Sequence, residues 1–306
     1  MDIFEAVVAA HRPALCGMAW AALGRVGVLA ALPETAEVLA SSLGLVPHKL
    51  VAVLEALAFE GALVRTGTPA RYARAGAEPA TAGVDTASLP GWASLAEILC
   101  GAPPASAPPE TLSAYHTHLT GIAAAKAPAL WDAIGAHGAR LVDLGGGLGA
   151  YAAAFVARRP GASARVLDTP EVVALAVQRG APVGVCFAAA DLFEASGEAD
   201  VVLLANVLHL YGPEQAAQLV AQAATLLVDG GVLVVEDLAL DGAGGPAHAA
   251  WFNVNMAVFT EGGRVYQSDE VRAWLRAAGL VAEGDGPWTG RVMDSPWCAQ
   301  DVELKG

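Results

Sequence analysis

Residues 139–149 read ARLVDLGGGLG, an apolar run with one aspartate that leads into a loop with four glycines. The apolar run predicts a strand buried on both faces, as strands of parallel sheets are. Glycine lets the backbone turn sharply and lets a ligand approach it, because no Cβ stands in the way. The pattern GAYAAAFVARR at 149–159 predicts a helix directly after the loop. Strand, loop and helix together predict a ligand-binding turn at the N-terminus of that helix.

The alternation of strand and helix patterns continues through the C-terminal part of the chain. Further apolar runs predict strands at 163–168, 183–191, 199–208 and 230–240. Helical patterns follow at 170–180, 212–227 and 268–280. This alternation is typical of an α/β fold, and we expect a Rossmann-like doubly wound sheet. Ligands of such sheets bind beyond the carboxyl ends of the strands.

An aspartate stands at the carboxyl end of each of the first three predicted strands, and these acids indicate the cofactor. Asp143 would repel a pyrophosphate, whereas it suits a cofactor with a cationic amino-acid end. Asp168 can accept hydrogen bonds from both hydroxyls of a ribose, which either cofactor type carries. Asp191 can accept one from the amino group of an adenine. The three acids favour an adenosyl-sulfonium cofactor, although each alone is also compatible with an N-cap or a solvated turn.

A nicotinamide cofactor is the competing interpretation of the same glycine loop. Gly147, Gly149 and Ala152 have the spacing of the dinucleotide fingerprint. The position of Asp168 relative to the loop fits a dinucleotide as well as it fits an adenosyl-sulfonium cofactor. From these residues alone, an NAD-dependent enzyme stays open.

The composition limits the class of protein and its partners. Of the 306 residues, 55% are hydrophobic and 16% are charged, which favours a large core and excludes global disorder. The net charge of −14 makes a nucleic-acid partner unfavourable. We expect no membrane segment, because no apolar stretch reaches about 18 residues without a charge or a Pro or Gly break. The scattered cysteines predict free, mostly buried thiols in a reducing compartment, the cytoplasm: Cys16, Cys100, Cys186 and Cys298.

The N-terminal part of the chain has the pattern of a winged helix. Residues 14–60 read as successive helices, and RTGTPARYARA at 65–75 predicts a β-hairpin wing. Among residues 1–130, 7 Lys and Arg stand against 10 Asp and Glu, too few cations for phosphate contacts. We therefore expect a packing or dimerisation role for this region, and we expect it to extend over residues 1–100. The stretch 76–110 is rich in Ala, Gly, Pro and Ser, with a short helix predicted at 92–100 (WASLAEILC), and it reads as the connection to a cofactor-binding domain at 101–306.

Several segments together resemble one family, the class I S-adenosylmethionine-dependent methyltransferases. The matching segments are VDLGGGLG (142–149), VLDTPEVV (166–173), AADLFE (189–194), ANVLHLYGPEQ (205–215), LLVDGGVLVVEDLAL (226–240) and NVNMAVFTEGGRVYQSDEV (253–271). More narrowly, the chain resembles the O-methyltransferases of the caffeate, hydroxyindole and bacterial polyketide type. This resemblance implies O-methylation of a small hydroxylated aromatic or polyketide-type acceptor, with S-adenosylmethionine as methyl donor and S-adenosylhomocysteine as product. It also implies a homodimer formed through the winged-helix-like region.

The resemblance assigns cofactor contacts residue by residue. Gly145 and Gly147 would line the methionine end, Asp168 the ribose, and Asp191 the adenine. The complete set of expected cofactor contacts is Tyr115, Asp143, Gly145, Gly147, Asp168, Thr169, Asp191, Leu192 and Asn206.

The resemblance also assigns the catalytic residues and the acceptor pocket. His209 matches the general base of the family, and Glu236 matches the carboxylate that orients it. Two positions depart from the family pattern: Leu210 stands where an aspartate is expected, and Val265 stands where a second supporting acid is expected. The residues expected to contact the acceptor are Leu119, Trp251, Asn255 and Met256.

Other functions remain open from the sequence. A relative with the same cofactor could methylate C or N, or act as a hydroxylase, decarboxylase or pericyclase. The departures at Leu210 and Val265 keep this alternative open. A winged-helix regulator with a ligand-sensing domain is a non-catalytic alternative. We expect no metal, because no His, Cys or acidic cluster has ligand spacing and His116 and His118 point to different helix faces.

Overall fold

The structure, a computed structural model, describes residues 3–76, 78–80, 89–106, 111–135, 137–240, 247–283 and 288–292. The chain divides into two compact units, and each of them is discontinuous in sequence. The first unit comprises Met1–Pro108, His209–Gly212 and Leu238–Gln267. The second comprises Pro109–Leu208, Pro213–Asp237 and Ser268–Gly306. Sequence patterns predicted a single boundary near residue 100, and they gave no sign that two later segments pack with the N-terminal helices.

The helices are α1 (Ile3–Arg25), α2 (Val28–Ala31), α3 (Ala36–Leu43), α4 (Pro47–Phe59), α5 (Leu95–Leu99), α6 (Leu112–Ile134), α7 (Ala150–Arg158), α8 (Pro170–Arg179), α9 (Pro213–Ala224), α10 (Ala247–Phe259) and α11 (Ser268–Ala277). The strands are β1 (Glu34–Thr35), β2 (Leu63–Thr66), β3 (Arg71–Arg74), β4 (Arg140–Leu144), β5 (Ser163–Asp168), β6 (Val185–Ala189), β7 (Ala199–Ala205), β8 (Leu227–Glu236), β9 (Leu280–Glu283) and β10 (Trp288–Val292). Within the described ranges, no helix is both long enough and apolar enough to cross a bilayer.

The first unit contains the predicted succession of helices and the predicted hairpin. The Thr35 hydroxyl caps α3 by accepting from the Val38 N–H at 3.3 Å, and Gly44 ends that helix at φ +67°. Pro47 begins α4, where its missing N–H costs nothing. Strands β2 and β3 pair antiparallel, which confirms the hairpin.

The segment interpreted as a connection contains the predicted short helix, and this part of it contributes to the core of the first unit. Residues 90–94 form a 3₁₀ turn that runs into α5. Trp92, Leu95, Ile98 and Leu99 are buried in the same apolar cluster as the side chains of α1 and α4. Burial of large apolar side chains stabilises a unit by roughly 1.5–3 kcal/mol each, so this part of the stretch is a structural element.

The second unit is built on a seven-stranded sheet of order β6-β5-β4-β7-β8-β10-β9. Strands β4 to β8 are parallel to one another, which confirms the predicted Rossmann-like sheet. The register aligns Leu144 with Leu204, and Asp168 with Ala189, so the carboxyl ends of these strands lie at one edge. Strands β9 and β10 extend the sheet in antiparallel pairing, which the sequence patterns did not predict.

Both faces of this sheet are covered. Strand side chains alternate between faces, and members of both sets are buried, such as Leu141 and Leu203 on one face and Val202 and Leu204 on the other. Helices α6 and α7 cover the first of these faces, where the Trp131 indole donates to the Tyr151 carbonyl at 2.9 Å. A sheet buried on both faces exposes only its edges, so its ligand site is confined to the strand ends.

The cysteines correct one expectation. Cys100 and Cys186 are exposed and Cys16 is half-buried, so the prediction of mostly buried thiols is wrong for these three. Each of them is a free thiol. Burial raises the pKa of Cys16 to about 11, which makes its thiol unreactive at neutral pH. Cys298 lies outside the described residues.

Candidate active site

The glycine loop after β4 packs so tightly that side chains have no room. Gly145 and Gly147 have φ angles of +72° and +58°, which L side chains rarely adopt. A Cβ on Gly145 would lie 2.7 Å from Cγ2 of Val207, and a Cβ on Gly146 would lie 2.4 Å from Cγ of Asp143. The Gly145 N–H donates to the Leu167 carbonyl at 2.7 Å. The loop is therefore held as a bare backbone surface at the edge of the sheet.

Asp143 lies beneath this loop and is completely buried. In the described part of the chain neither of its carboxylate oxygens has a hydrogen-bond partner. Burial, and to a lesser degree the Asp168 charge, raises the pKa of Asp143 to about 7. A buried carboxylate without a partner is destabilising, and a nearby cation offsets that cost. The loop therefore fits a ligand that brings a positive charge, and it disfavours a pyrophosphate.

Asp168 is fixed beside the loop by two backbone groups. Its Oδ2 accepts from the Gly147 N–H at 2.9 Å, and its Oδ1 accepts from the Thr169 N–H at 2.7 Å. A carboxylate has about four acceptor positions, so capacity remains for the two hydroxyls of a ribose. Thr169 is exposed and precedes Pro170, the first residue of α8.

Asp191 follows β6 and caps a short 3₁₀ turn, Leu192–Glu194. Its Oδ1 accepts from the Phe193 N–H at 2.9 Å, which is the N-cap role that the sequence left as an alternative. Asp191 is exposed, and its other oxygen leaves an acceptor for an adenine amino group. Leu192 is half-buried, and its Cδ1 would lie 3.6 Å from a Cβ on Gly145. Both residues therefore stand at the strand edge that carries the glycine loop.

On the other side of β4 in the sheet, Asn206 directly follows β7 and Glu236 ends β8. Asn206 has a φ of +57°, the one positive value among non-glycine residues of the described chain, and its N–H donates to the Glu236 carbonyl at 2.7 Å. The Glu236 side chain accepts from Lys126 Nζ at 3.0 Å. The sequence patterns gave Lys126 no role. The sequence does single this residue out, because Lys126 is the only Lys or Arg between residues 112 and 134.

Helix α6 carries two further predicted contacts. Tyr115 is 52% exposed and Leu119 is half-buried. His116 of this helix lies against the glycine loop, near Gly147. The roles predicted for Tyr115 and Leu119 stay predictions.

His209 belongs to the first unit, on the 3₁₀ turn Leu208–Leu210. It is 4% exposed, and its ring packs edge-on against Phe252 with centroids 4.8 Å apart. A Cβ on Gly263 would lie 2.4 Å from the His209 carbonyl oxygen, so this glycine permits close approach of the two segments. Val265 is buried, and its N–H donates to Asn253 Oδ1 at 2.9 Å. The place where a second acid was expected is therefore apolar.

The residues of α10 that were expected to contact the acceptor also lie in the first unit. Trp251 is 1% exposed and donates from Nε1 to Glu60 at 2.7 Å. Asn255 accepts from Trp92 Nε1 at 3.2 Å, and Met256 is buried. These contacts are ones that pack the core of the unit. Contact of Trp251, Asn255 and Met256 with the acceptor stays a prediction. The expected cofactor residues and Glu236, by contrast, belong to the second unit.

The closeness of Gly146 to Asp143 gives a testable consequence. Gly146→Ala should lower the free energy of unfolding by about 1–3 kcal/mol, because the added methyl group forces the buried carboxylate or the loop to shift. Gly121→Ala is the matched control, because Gly121 lies within α6 with nothing within 4 Å of a Cβ, and it should stabilise by roughly 0.5–1 kcal/mol. Urea unfolding of both variants measures the difference. Equal effects would contradict the tight packing of the loop.

Comparison with protein families gives a match to the same region. A family model described as the O-methyltransferase domain matches residues 120–281, just over half of the chain. A 3-hydroxy-5-methyl-1-naphthoate 3-O-methyltransferase of Streptomyces sahachiroi is 38% identical over 148 residues, which cover 46% of this chain and 42% of that protein. The chain therefore spans less than half of the length of this relative.

Two solved structures share the fold over nearly the whole chain. An O-methyltransferase family 2 protein from Planctomyces limnophilus, in complex with apigenin, has a TM-score of 0.76 at 24% identity and covers 95% of this chain and 96% of its own. Human N-acetylserotonin methyltransferase, in complex with SAM, has a TM-score of 0.58 at 21% identity and covers 94% of this chain and 96% of its own. At these identities the likeness concerns the fold.

Proposed function

This chain belongs to the O-methyltransferase domain family, and from that membership we propose that it is an S-adenosylmethionine-dependent O-methyltransferase. Its acceptor is a small hydroxylated aromatic or polyketide-type metabolite. The observation that carries the proposal is the buried, unpartnered Asp143 beneath the glycine loop, because it suits a cationic cofactor and opposes a pyrophosphate.

The cofactor would lie along the carboxyl ends of β4, β5 and β6. Asp143, Gly145 and Gly147 would hold its amino-acid end, Asp168 its ribose, and Asp191 its adenine. Thr169, Leu192, Asn206 and Tyr115 complete the proposed set. When bound, S-adenosylmethionine supplies a sulfonium methyl group for in-line displacement. The bound SAM of the human N-acetylserotonin methyltransferase supports this choice of cofactor.

We assign the role of general base to His209. A phenol has a pKa near 10, so only about 0.1% of it is ionised at pH 7. A histidine that takes the hydroxyl proton as the oxygen attacks increases the rate about 10²–10⁴-fold. His209 has a fixed ring, because it is buried against Phe252. Because the ring is fixed, the acceptor hydroxyl can approach its nitrogen from one direction only. This favours alignment of the acceptor oxygen for attack on the methyl group.

Glu236 is proposed to orient His209 and to stabilise its protonated form. Glu236→Gln should lower kcat about 10- to 100-fold, because a hydrogen bond to a charged group contributes about 1.5–3 kcal/mol. Lys126 Nζ lies 3.0 Å from Glu236 Oε1. Lys126→Arg is the control: it keeps a positive charge beside this carboxylate and should leave kcat nearly unchanged. Initial rates and S-adenosylhomocysteine affinity are measured side by side. Full activity of the Gln variant would remove Glu236 from the mechanism.

The nature of the acceptor, the assembly and the compartment are parts of the same proposal. The naphthoate acceptor named for the Streptomyces relative and the apigenin bound by the Planctomyces protein both support a flat hydroxylated aromatic. Leu119, Trp251, Asn255 and Met256 are the proposed acceptor contacts. The winged-helix-like elements α3, α4 and β2–β3 support a homodimer, which light scattering tests directly. Free thiols support the cytoplasm as the compartment.

A second candidate function rests on the residues that were expected to assist the proposed base. Val265 is apolar where an acid was expected, and Glu236 already accepts from Lys126. These features favour a relative that binds the same cofactor without needing a strong oxygen base, such as a C- or N-methyltransferase, a hydroxylase, a decarboxylase or a pericyclase.

One assay separates the two candidates. The purified chain is incubated with S-adenosylmethionine and a panel of hydroxylated aromatics, and products are read by mass spectrometry. An O-methyltransferase forms S-adenosylhomocysteine together with a product that is heavier by one CH₂ and, by NMR of the isolated product, has lost a phenolic hydroxyl. A product heavier by one CH₂ that keeps every phenolic hydroxyl would favour a C- or N-methyltransferase. Product formation without S-adenosylhomocysteine would favour the non-methylating alternative.

A further inference from the structure

His116 lies on the second turn of α6 and faces the glycine loop of the second unit. A Cβ built on Gly147 would lie 3.4 Å from Nδ1 and 3.9 Å from Cε1 of this ring. Asp168, which accepts the Gly147 N–H, interacts electrostatically with the same imidazole. His116 is half-buried, so part of its side chain is accessible.

A clamp from α8 holds this part of α6 in place. Arg179, the last residue of α8, donates from Nη2 to the Ser113 carbonyl at 3.1 Å, to Ser113 Oγ at 2.7 Å and to Thr117 Oγ1 at 2.8 Å. Ser113 and Thr117 are four residues apart on α6 and lie on either side of His116 in sequence. The clamp fixes the first two turns of the helix, and with them the position of the imidazole.

We propose that His116 donates a hydrogen bond to the carboxylate of the amino-acid end of the bound cofactor. This inference rests on the proposed function and adds a residue that the family resemblance did not assign. The amino-acid end of S-adenosylmethionine carries an ammonium and a carboxylate. Asp143 suits the ammonium, but its charge and that of Asp168 repel the carboxylate, so a carboxylate at this loop needs a donor. His116 supplies one beside Gly147, and Arg179 is engaged by Ser113 and Thr117.

The protonation state of His116 is compatible with this role. Burial lowers the pKa of His116, the Asp168 charge opposes that effect, and the Arg179 charge adds to it. The ring is therefore neutral at pH 7 and keeps one N–H. The neutral imidazole can therefore donate its N–H to a carboxylate at physiological pH without first taking up a proton.

The test compares two ligands by titration calorimetry with the purified chain. S-Adenosylhomocysteine carries the amino-acid end, whereas 5′-methylthioadenosine has the same adenosine part without it. His116→Ala should weaken S-adenosylhomocysteine about 10- to 100-fold and leave methylthioadenosine within about twofold. His116→Asn, whose amide nitrogen takes the place of Nδ1, should recover most of the affinity. His118→Ala on another face of α6 is the matched control and should bind like the unaltered chain.

The outcomes separate this inference from the function it rests on. No binding of S-adenosylhomocysteine by the unaltered chain contradicts the proposed function itself. Binding by the unaltered chain with equal affinity of His116→Ala contradicts only the role of His116, as does an equal loss of both ligands. If methylthioadenosine binds too weakly to measure, the Asn variant decides, because affinity as low as that of the Ala variant contradicts the donor role.

Discussion

His209→Ala should lower kcat about 10²–10⁴-fold and leave the affinity for S-adenosylhomocysteine unchanged. The proposed base acts only while the acceptor proton is being transferred, so its loss affects the transition state and not cofactor binding. His209 belongs to the first unit, whereas the residues proposed to hold the cofactor belong to the second. A variant that binds the cofactor normally and turns over slowly is therefore the expected result.

The acidity of the acceptor sharpens this experiment. An acceptor with an electron-withdrawing substituent is already ionised at neutral pH and needs no base, so the His209→Ala defect should shrink on it. Because His209 is buried against Phe252, thermal unfolding is recorded for the same preparation to show that the variant is folded. A rate loss of equal size on acidic and ordinary phenols would indicate a structural role. No rate loss on either would remove His209 from the chemistry.

Asp143→Asn should have opposite effects on the free protein and on cofactor binding. Removal of the buried charge should raise the free energy of unfolding of the ligand-free chain by about 2–4 kcal/mol above pH 7, because a shift of one pKa unit corresponds to about 1.4 kcal/mol. The same change should weaken S-adenosylhomocysteine by roughly 10- to 100-fold, because a charged partner of the ligand ammonium is lost.

The pH dependence of the Asp143 effect has a definite sign. The pKa of Asp143 is about 7 in the folded chain and about 4 when it is unfolded, so the folded form binds the proton more tightly. The stability due to this group is present below pH 4 and is lost as the pH rises towards 7. The advantage of the Asn variant should therefore be small at pH 4 and complete above pH 7. Urea unfolding across this range measures it, and an advantage that does not change with pH would contradict an ionisable buried Asp143.

Asp200 on β7 is the matched control for this measurement. Its carboxylate accepts from the N–H groups of Ala139 and Arg140, at 2.8 and 2.9 Å, and from the Arg140 guanidinium at 2.7 Å. These bonds, led by that of the Arg140 side chain, lower the pKa of Asp200. Asp200→Asn should therefore destabilise the chain at pH 7, the opposite of Asp143→Asn. Destabilisation by both variants would show that Asp143 has a partner.

The parts of the fold that the sequence predicted well are those with a local pattern. The run at 141–144 is buried on both faces and is followed by glycines, so strand, turn and helix follow from neighbouring residues. The same holds for the hairpin at 63–74, where a Gly-Thr-Pro turn separates two short strands. Asp143, Asp168 and Asp191 could be placed at one edge, because parallel strands bring their carboxyl ends together.

The parts that escaped prediction depend on contacts between distant segments. Strands β9 and β10 are short, and the pairing of β10 with β8 joins residues more than fifty positions apart. Residues 238–267 follow a predicted strand, yet they pack with the N-terminal helices through α10, and no local pattern records that partner. Lys126 and His116 were missed for the same reason, because their partners Glu236 and Gly147 lie on other elements.

Calorimetric titration of the purified chain with S-adenosylhomocysteine, and in parallel with NAD, tests the central claim most directly. The claim is that Asp143, Asp168 and Asp191 form a site for an adenosyl cofactor with a cationic end. We predict one molecule of S-adenosylhomocysteine bound per chain, weakened by Asp143→Asn, and no binding of NAD. Binding of NAD in its place, or of neither compound, would contradict the claim.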